Sequence, residues 1–190
     1  MNRAELVEAI VAATEIIQQD TVLVIGSQSI LGSFDESVLP EAATRSIEVD
    51  IAPLADDAAE TIATILDGRA GEWSPFHDAH GFYIQGVGRN TAVLPAGWRD
   101  RLVPVRPPGA PGSTGLCLDP VDLCVAKLVA ARPKDHEFVS ALIEAGLIEP
   151  RAVAERAELL PRGQVQVDGA EITDETVGRI VRWVRSFESR

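Results

Sequence analysis

The chain has 190 residues and a formal net charge of −12 at pH 7. That length suits one domain, or a domain with a helical appendage, around a sizeable core. The acidic balance excludes a protein that coats nucleic acid by electrostatics alone, because phosphate neutralisation is the main source of non-specific affinity. No run of about 18 apolar residues is present, and residues 1–5 lack the basic and apolar regions of a signal peptide, so a cytoplasmic protein without a membrane partner is expected.

Taken in order, residues 3–19 predict a helix, since Leu6, Ile10, Ala13 and Ile17 recur at the three-to-four spacing of a buried stripe. Residues 22–25 read as a buried strand that breaks at Gly26-Ser27-Gln28. Glycine there permits the close approach that a phosphate-binding turn needs. A short helix is expected over 27–31, its free amides facing whatever binds at the turn. Residues 32–45 read as a polar loop, a plain connection in preference to a substrate-facing one. Residues 46–51, Ser-Ile-Glu-Val-Asp-Ile, then alternate, so that Glu48 and Asp50 point to one face and Ile47, Val49 and Ile51 to the other. Two neighbouring carboxylates repel unless a cation lies between them, and Mg²⁺, which takes one or two carboxylates plus substrate phosphates, is the natural candidate.

Asp56, Ala59, Ile62, Ala63 and Leu66 predict an amphipathic helix stopped by Gly68. Residues 82–85 and 91–94, separated by Gly86, Gly88, Arg89 and Asn90, read as a β-hairpin, and 101–105 as a further strand. His77 and His80 fall in an irregular loop with no role assigned. The prolines and glycines of 106–115 mark a joint without regular structure, placed between an α/β core over 1–115 and a helical region over 116–190 packed on it. Asp119-Pro120 is a helix start, Asp at the N-cap and Pro in the first turn. Cys117 and Cys124, the only cysteines, lack zinc-like spacing and read as small core residues.

Lys127 is the one charge in the otherwise apolar run 123–131, so its ammonium must either snorkel to water or meet a carboxylate or phosphate. Pro133 ends that helix and starts the next, which runs through Phe138 and Leu142 to Gly146. Asp135, in its first turn, is open to three readings: compensation of the helix dipole, a third metal carboxylate, or a partner for Lys127. His136 reads as solvated surface. In the last helix Val177, Ile180, Val181 and Val184 form a stripe, with Arg179, Arg182 and Arg185 on the other side as a solvated face.

A strand, a Gly-Ser turn and a strand carrying Glu48-x-Asp50 resemble the nucleotidyltransferase fold of the DNA polymerase beta type, and more narrowly the AbiEii-like toxins and the bacterial family DUF6036. The helical Lys127 followed by Lys134-Asp135 is similar to the same families. The resemblance implies a mixed α/β sheet with flanking helices and a C-terminal helical part. It also implies Mg²⁺ on Glu48 and Asp50, nucleotide contacts at Gly26, Ser27 and Arg132, and catalytic parts for Asp50, Glu48, Lys127 and Asp135. The expected activity is transfer of a nucleotide from an NTP to RNA, including tRNA, or to protein, with a cognate antitoxin as partner of a toxin. The alternatives are a catalytically degenerate member that binds nucleotide or protein, a dinucleotide-binding unit, against which the G-x-G-x-x-G spacing is missing, and a toxin-neutralising or structural partner protein.

Overall fold

The computed structural model describes residues 1–54, 59–88, 91–166 and 169–188. The chain divides into two compact units: Met1–Arg89 with Leu102–Leu118, and Asn90–Arg101 with Asp119–Arg190.

The first unit is a mixed α/β layer. Its five strands are β1 (Thr21–Val24), β2 (Glu48–Pro53), β3 (Tyr83–Gly86), β4 (Val103–Val105) and β5 (Thr114–Cys117). They lie in the order β3-β2-β1-β5-β4. β1 runs antiparallel to β2 and parallel to β5, while β3 joins β2 in parallel and β4 joins β5 antiparallel. Two helices, α1 (Arg3–Ile17) and α3 (Ala59–Ala70), lie against the sheet and against each other. The α1 stripe of Leu6, Ala9, Ile10 and Ala13 is wholly buried. Each such leucine or isoleucine contributes about 1.5–3 kcal/mol of transfer free energy, which outweighs a helix propensity measured in tenths. An Asn2–Glu5 capping box closes its N-terminus.

Several expectations change. Residues 82–85 and 91–94 do not form a hairpin: β3 pairs with β2, and 91–94 contains no strand. Its proposed turn residues Arg89 and Asn90, like Asp56 at the expected start of the second amphipathic helix, lie outside the described residues. Gly68 does not stop α3, which continues to Ala70. The 32–45 connection holds a 3-10 turn, Glu36–Val38, and the one-turn α2 (Glu41–Thr44). His77 and His80 stand on α4 (Pro75–His80), begun by the Ser74 cap and ended at Gly81 in the left-handed region. Thr114 and Gly115, inside the Pro/Gly stretch, belong to β5.

The second unit is helical: α5 (Pro120–Ala130), α6 (Pro133–Glu144), α7 (Pro150–Ala157) and α8 (Asp174–Arg185). Asp119 caps α5 through the Val121 and Asp122 amides, as Asp-Pro foretells. Asp122 on α5 is fully buried and accepts two hydrogen bonds from Arg101, at 2.8 and 2.9 Å, and one from Arg156 of α7 at 2.7 Å. Arg101 ends the 3-10 turn Trp98–Arg101, so this clasp ties the 90–101 segment to the helices. Cys117 and Cys124 are both buried free thiols, and burial pushes each up to about 12. Among the described residues no helix is long and apolar enough to cross a membrane.

Candidate active site

The acid pair stands on β2, the second strand from the sheet edge. Burial alternates along it, with Val49 and Ile51 wholly buried and Glu48 and Asp50 half-buried on the opposite face. Side chains two apart on a strand sit about 7 Å from each other, near enough for one cation and its ligands to be shared. The neighbouring strand supplies the other wall. β1 ends at Val24, and the Ile25 amide donates to the Asp50 carbonyl at 3.1 Å, which brings the following turn alongside Asp50.

Gly26 is glycine for a steric reason. A Cβ there would overlap the Asp50 carboxylate, Oδ2 included, although the Gly26 backbone itself is extended. The turn thus presses its backbone against the acid, and Ser27 opens a six-residue 3-10 helix, Ser27–Gly32. Behind it Gln28 and Ser29 are fully buried; Gln28 Nε2 donates to the Ser46 carbonyl at 2.9 Å, fastening the turn to the entry of β2.

Tyr83 is a site residue that sequence reasoning missed. It lies in register with Glu48 across the β2–β3 pair, and its hydroxyl donates to Glu48 Oε2 at 3.0 Å. Burial, then the charge of Glu48 and that hydrogen bond, push the phenol up to about 12. Asp50 is in register with Gln85, whose amide donates to Asp67 of α3, and Asp67 also accepts from the Gly86 amide at 2.8 Å. Asp67 is therefore occupied in fixing α3 to β3. The His77 ring lies 5.1 Å from the Tyr83 ring.

Within the second unit, Lys127, Arg132 and Asp135 come together. Asp135 is fully buried; Lys127 Nζ donates to its Oδ1 at 3.2 Å and Arg132 Nε to its Oδ2 at 2.6 Å. Burial pushes the Asp135 carboxyl up, but the Arg132 hydrogen bond and the charges of Lys127 and Arg132 outweigh it and hold it below the usual carboxylate range. Lys127 Nζ also lies 4.3 Å from the Phe138 ring centroid, a cation–π contact. Of the three readings open for Asp135, two are met together: it pairs with Lys127, and in the first turn of α6 its Oδ2 accepts from the Arg132 amide. His136, expected on solvated surface, packs its ring 4.8 Å from Trp183, and its Nδ1 is buried.

The Glu48–Asp50 donor set fits a hard divalent cation, since both ligands are carboxylate oxygens on a rigid strand. Among the described residues no group of three or more His, Cys, Asp or Glu forms a metal-binding cluster. The remaining ligands of such an ion would come from substrate phosphates and water, the usual pattern for Mg²⁺.

A five-stranded mixed sheet flanked by helices, with a Gly-Ser turn pressed on an acid-x-acid strand, defines the nucleotidyltransferase-like class, whose chemistry generally runs on divalent metal ions. The chain belongs to the DUF6036 family, described as a nucleotidyltransferase of unknown function; the match spans residues 4–157. No curated protein and no solved structure matches it.

Proposed function

We propose that this chain catalyses Mg²⁺-dependent transfer of a nucleotidyl group from a nucleoside triphosphate to a hydroxyl on an RNA or protein acceptor. The observation that carries this reading is the placement of Glu48 and Asp50 on one face of β2 with the Gly26 backbone against Asp50. Glu48 and Asp50 would hold the metal, which when bound supplies neutralisation of the phosphate charge. The Gly26-Ser27 turn offers backbone amides and a hydroxyl to the triphosphate. Tyr83 donates to Glu48 and fixes the direction of its carboxylate.

In the transfer, the acceptor oxygen forms a bond to the α-phosphorus while the α–β phosphoanhydride bond breaks. Pyrophosphate leaves with the bonding pair, and the acceptor proton passes to solvent. Within the helical unit Lys127 and Arg132 both hold Asp135, and the guanidinium of Arg132 is the exposed member of that cluster. A toxin role with a cognate antitoxin belongs to the same reading through the AbiEii-like resemblance.

The test is transfer of label from each nucleoside triphosphate, labelled at the α-phosphate, to total RNA and to protein, in wild type, Asp50→Ala and Lys127→Ala. Label that appears with wild type and disappears with Asp50→Ala supports the assignment and identifies the acceptor class. Label that persists in Asp50→Ala removes the acid pair from the mechanism. Binding of nucleotide without any transfer favours the degenerate binder instead.

A further inference from the structure

Two aromatic rings away from Glu48 stands a residue that core packing does not explain. Trp73 is 83% exposed, and its φ of 66° places a bulky side chain in the left-handed region, where a non-glycine residue is strained. Neither fact suits a packing role. The turn that holds it is otherwise short and well ordered by hydrogen bonds: the Ser74 amide donates to the Gly71 carbonyl, and the Trp73 amide donates to His77 Nδ1 at 3.2 Å. The scaffold thus maintains an unfavourable backbone conformation and displays an indole by doing so.

What the ring leads to gives the display a direction. From Trp73 the His77 ring is 6.4 Å away, edge-on; from His77 the Tyr83 ring is 5.1 Å away; and the Tyr83 hydroxyl is 3.0 Å from Glu48 Oε2. These steps connect the exposed indole to Glu48 of the acid pair through the rings of His77 and Tyr83. Exposed glutamate, Glu72, precedes the tryptophan, so the surroundings are polar rather than a broad apolar patch. A flat π face next to carboxylates suits a ligand that is flat and aromatic at one end and carries metal-bound phosphate at the other.

We infer that Trp73 is a stacking platform for an unpaired nucleobase of the ligand whose phosphates reach Glu48 and Asp50. This rests on the proposed nucleotidyl transfer for the position of the phosphates. Base stacking on an aromatic side chain is tolerant of base identity, because every base has a π face. Two sources present that chemistry, the base of the triphosphate and the terminal base of a single-stranded acceptor.

Equilibrium dialysis of the full chain with Mg²⁺ separates them, using ATP, inorganic tripolyphosphate and a short single-stranded oligoribonucleotide. Trp73→Ala is expected to weaken a base-bearing ligand about five-fold or more and to leave tripolyphosphate unchanged, while Trp73→Phe retains most of the affinity. Loss confined to ATP assigns the platform to the donor base, and loss confined to the oligonucleotide assigns it to the acceptor. Equal binding by wild type and Trp73→Ala, a parallel loss for tripolyphosphate, or no binding of either base-bearing ligand to wild type overturns the inference. Trp73→Gly adds a readout that a packing role would not give: it should lose the base-dependent affinity and raise the melting temperature, since glycine adopts this φ without strain. A lowered melting temperature would count against the platform. Base-dependent binding that requires Trp73 in a chain that transfers no label leaves the platform standing and removes the reaction; transfer with a KM indifferent to Trp73→Ala does the reverse.

Discussion

Asp122 and Asp135, in the helical unit, are wholly buried, and each lies between two cationic side chains, Arg101 and Arg156 for one and Lys127 and Arg132 for the other. Glu48, on the sheet unit, is only half-buried, and its carboxylate accepts from a phenol; among the described residues it has no ion-pair partner. A carboxylate neutralised on both sides has little left to offer a ligand and acts as a structural clamp. One held by a neutral donor keeps its charge available. The contrast separates the acids of the architecture from the acid of the proposed chemistry, a distinction that residue type alone does not make.

The contrast breaks first at Asp122. Asp122→Ala leaves the partly buried Arg101 guanidinium without its anion and Arg156 with Asp119 alone, and a loss of about 3–5 kcal/mol of unfolding free energy is expected in urea denaturation. Glu48→Gln, by the same measurement, should change stability by no more than about 1 kcal/mol while transfer is lost. A comparable loss at both positions would erase the difference between the two regions.

Asp135 sharpens it through pH. A carboxyl held below its ordinary range contributes stability that is complete above that range and lost as the pH falls through its own lowered value. Wild type should therefore shed stability below roughly pH 3.9, the ordinary aspartate value, and Asp135→Asn should remove part of that slope in acid melts. An unchanged slope would mean that the Lys127–Asp135–Arg132 cluster does not hold the carboxylate as described.

Gly26→Ala tests the sheet side sterically. The new methyl group must displace Asp50 or the turn, an overpacking change that costs about 1–3 kcal/mol, and transfer should fall further than the stability loss explains. The smallest effect is at Tyr83. Tyr83→Phe forfeits one hydrogen bond, about 1 kcal/mol. Because Tyr83 is the only tyrosine in the chain, phenolate absorbance reports it alone. Its midpoint, about 12 in wild type, should drop in Glu48→Gln toward the ordinary value of roughly 10 without reaching it, because burial persists.

The parts of this structure that were legible in advance are those whose cause is local. The α1 stripe, the alternation of β2, the Gly-Ser break and the Asp119-Pro120 start each follow from neighbours a few residues apart. The hairpin expectation failed because Gly86 and Gly88 look like turn residues, whereas the partner of β3 is β2, more than thirty residues earlier. Gly86 is small for another reason: the α3 backbone at Ala63 occupies the space a Cβ would need. Tyr83 was missed for the same cause, since only the β2–β3 register reveals that it faces Glu48. The Asp122 clasp joins residues 21 and 34 positions apart, with no spacing that would announce it.

That clasp also governs how the chain can be cut. The polypeptide leaves the sheet unit near residue 89, contributes 90–101 to the helical unit, returns for β4 and β5, and departs again after Leu118. A fragment ending at Leu118 would carry Arg101 without the carboxylate that anchors it, and one beginning at Asp119 would present Asp122 with a single arginine. Neither unit is a contiguous cassette. Their sequences are interleaved, so a single crossover after Leu118 would part the 90–101 segment from the helices that Arg101 clasps, and the two are expected to be inherited together.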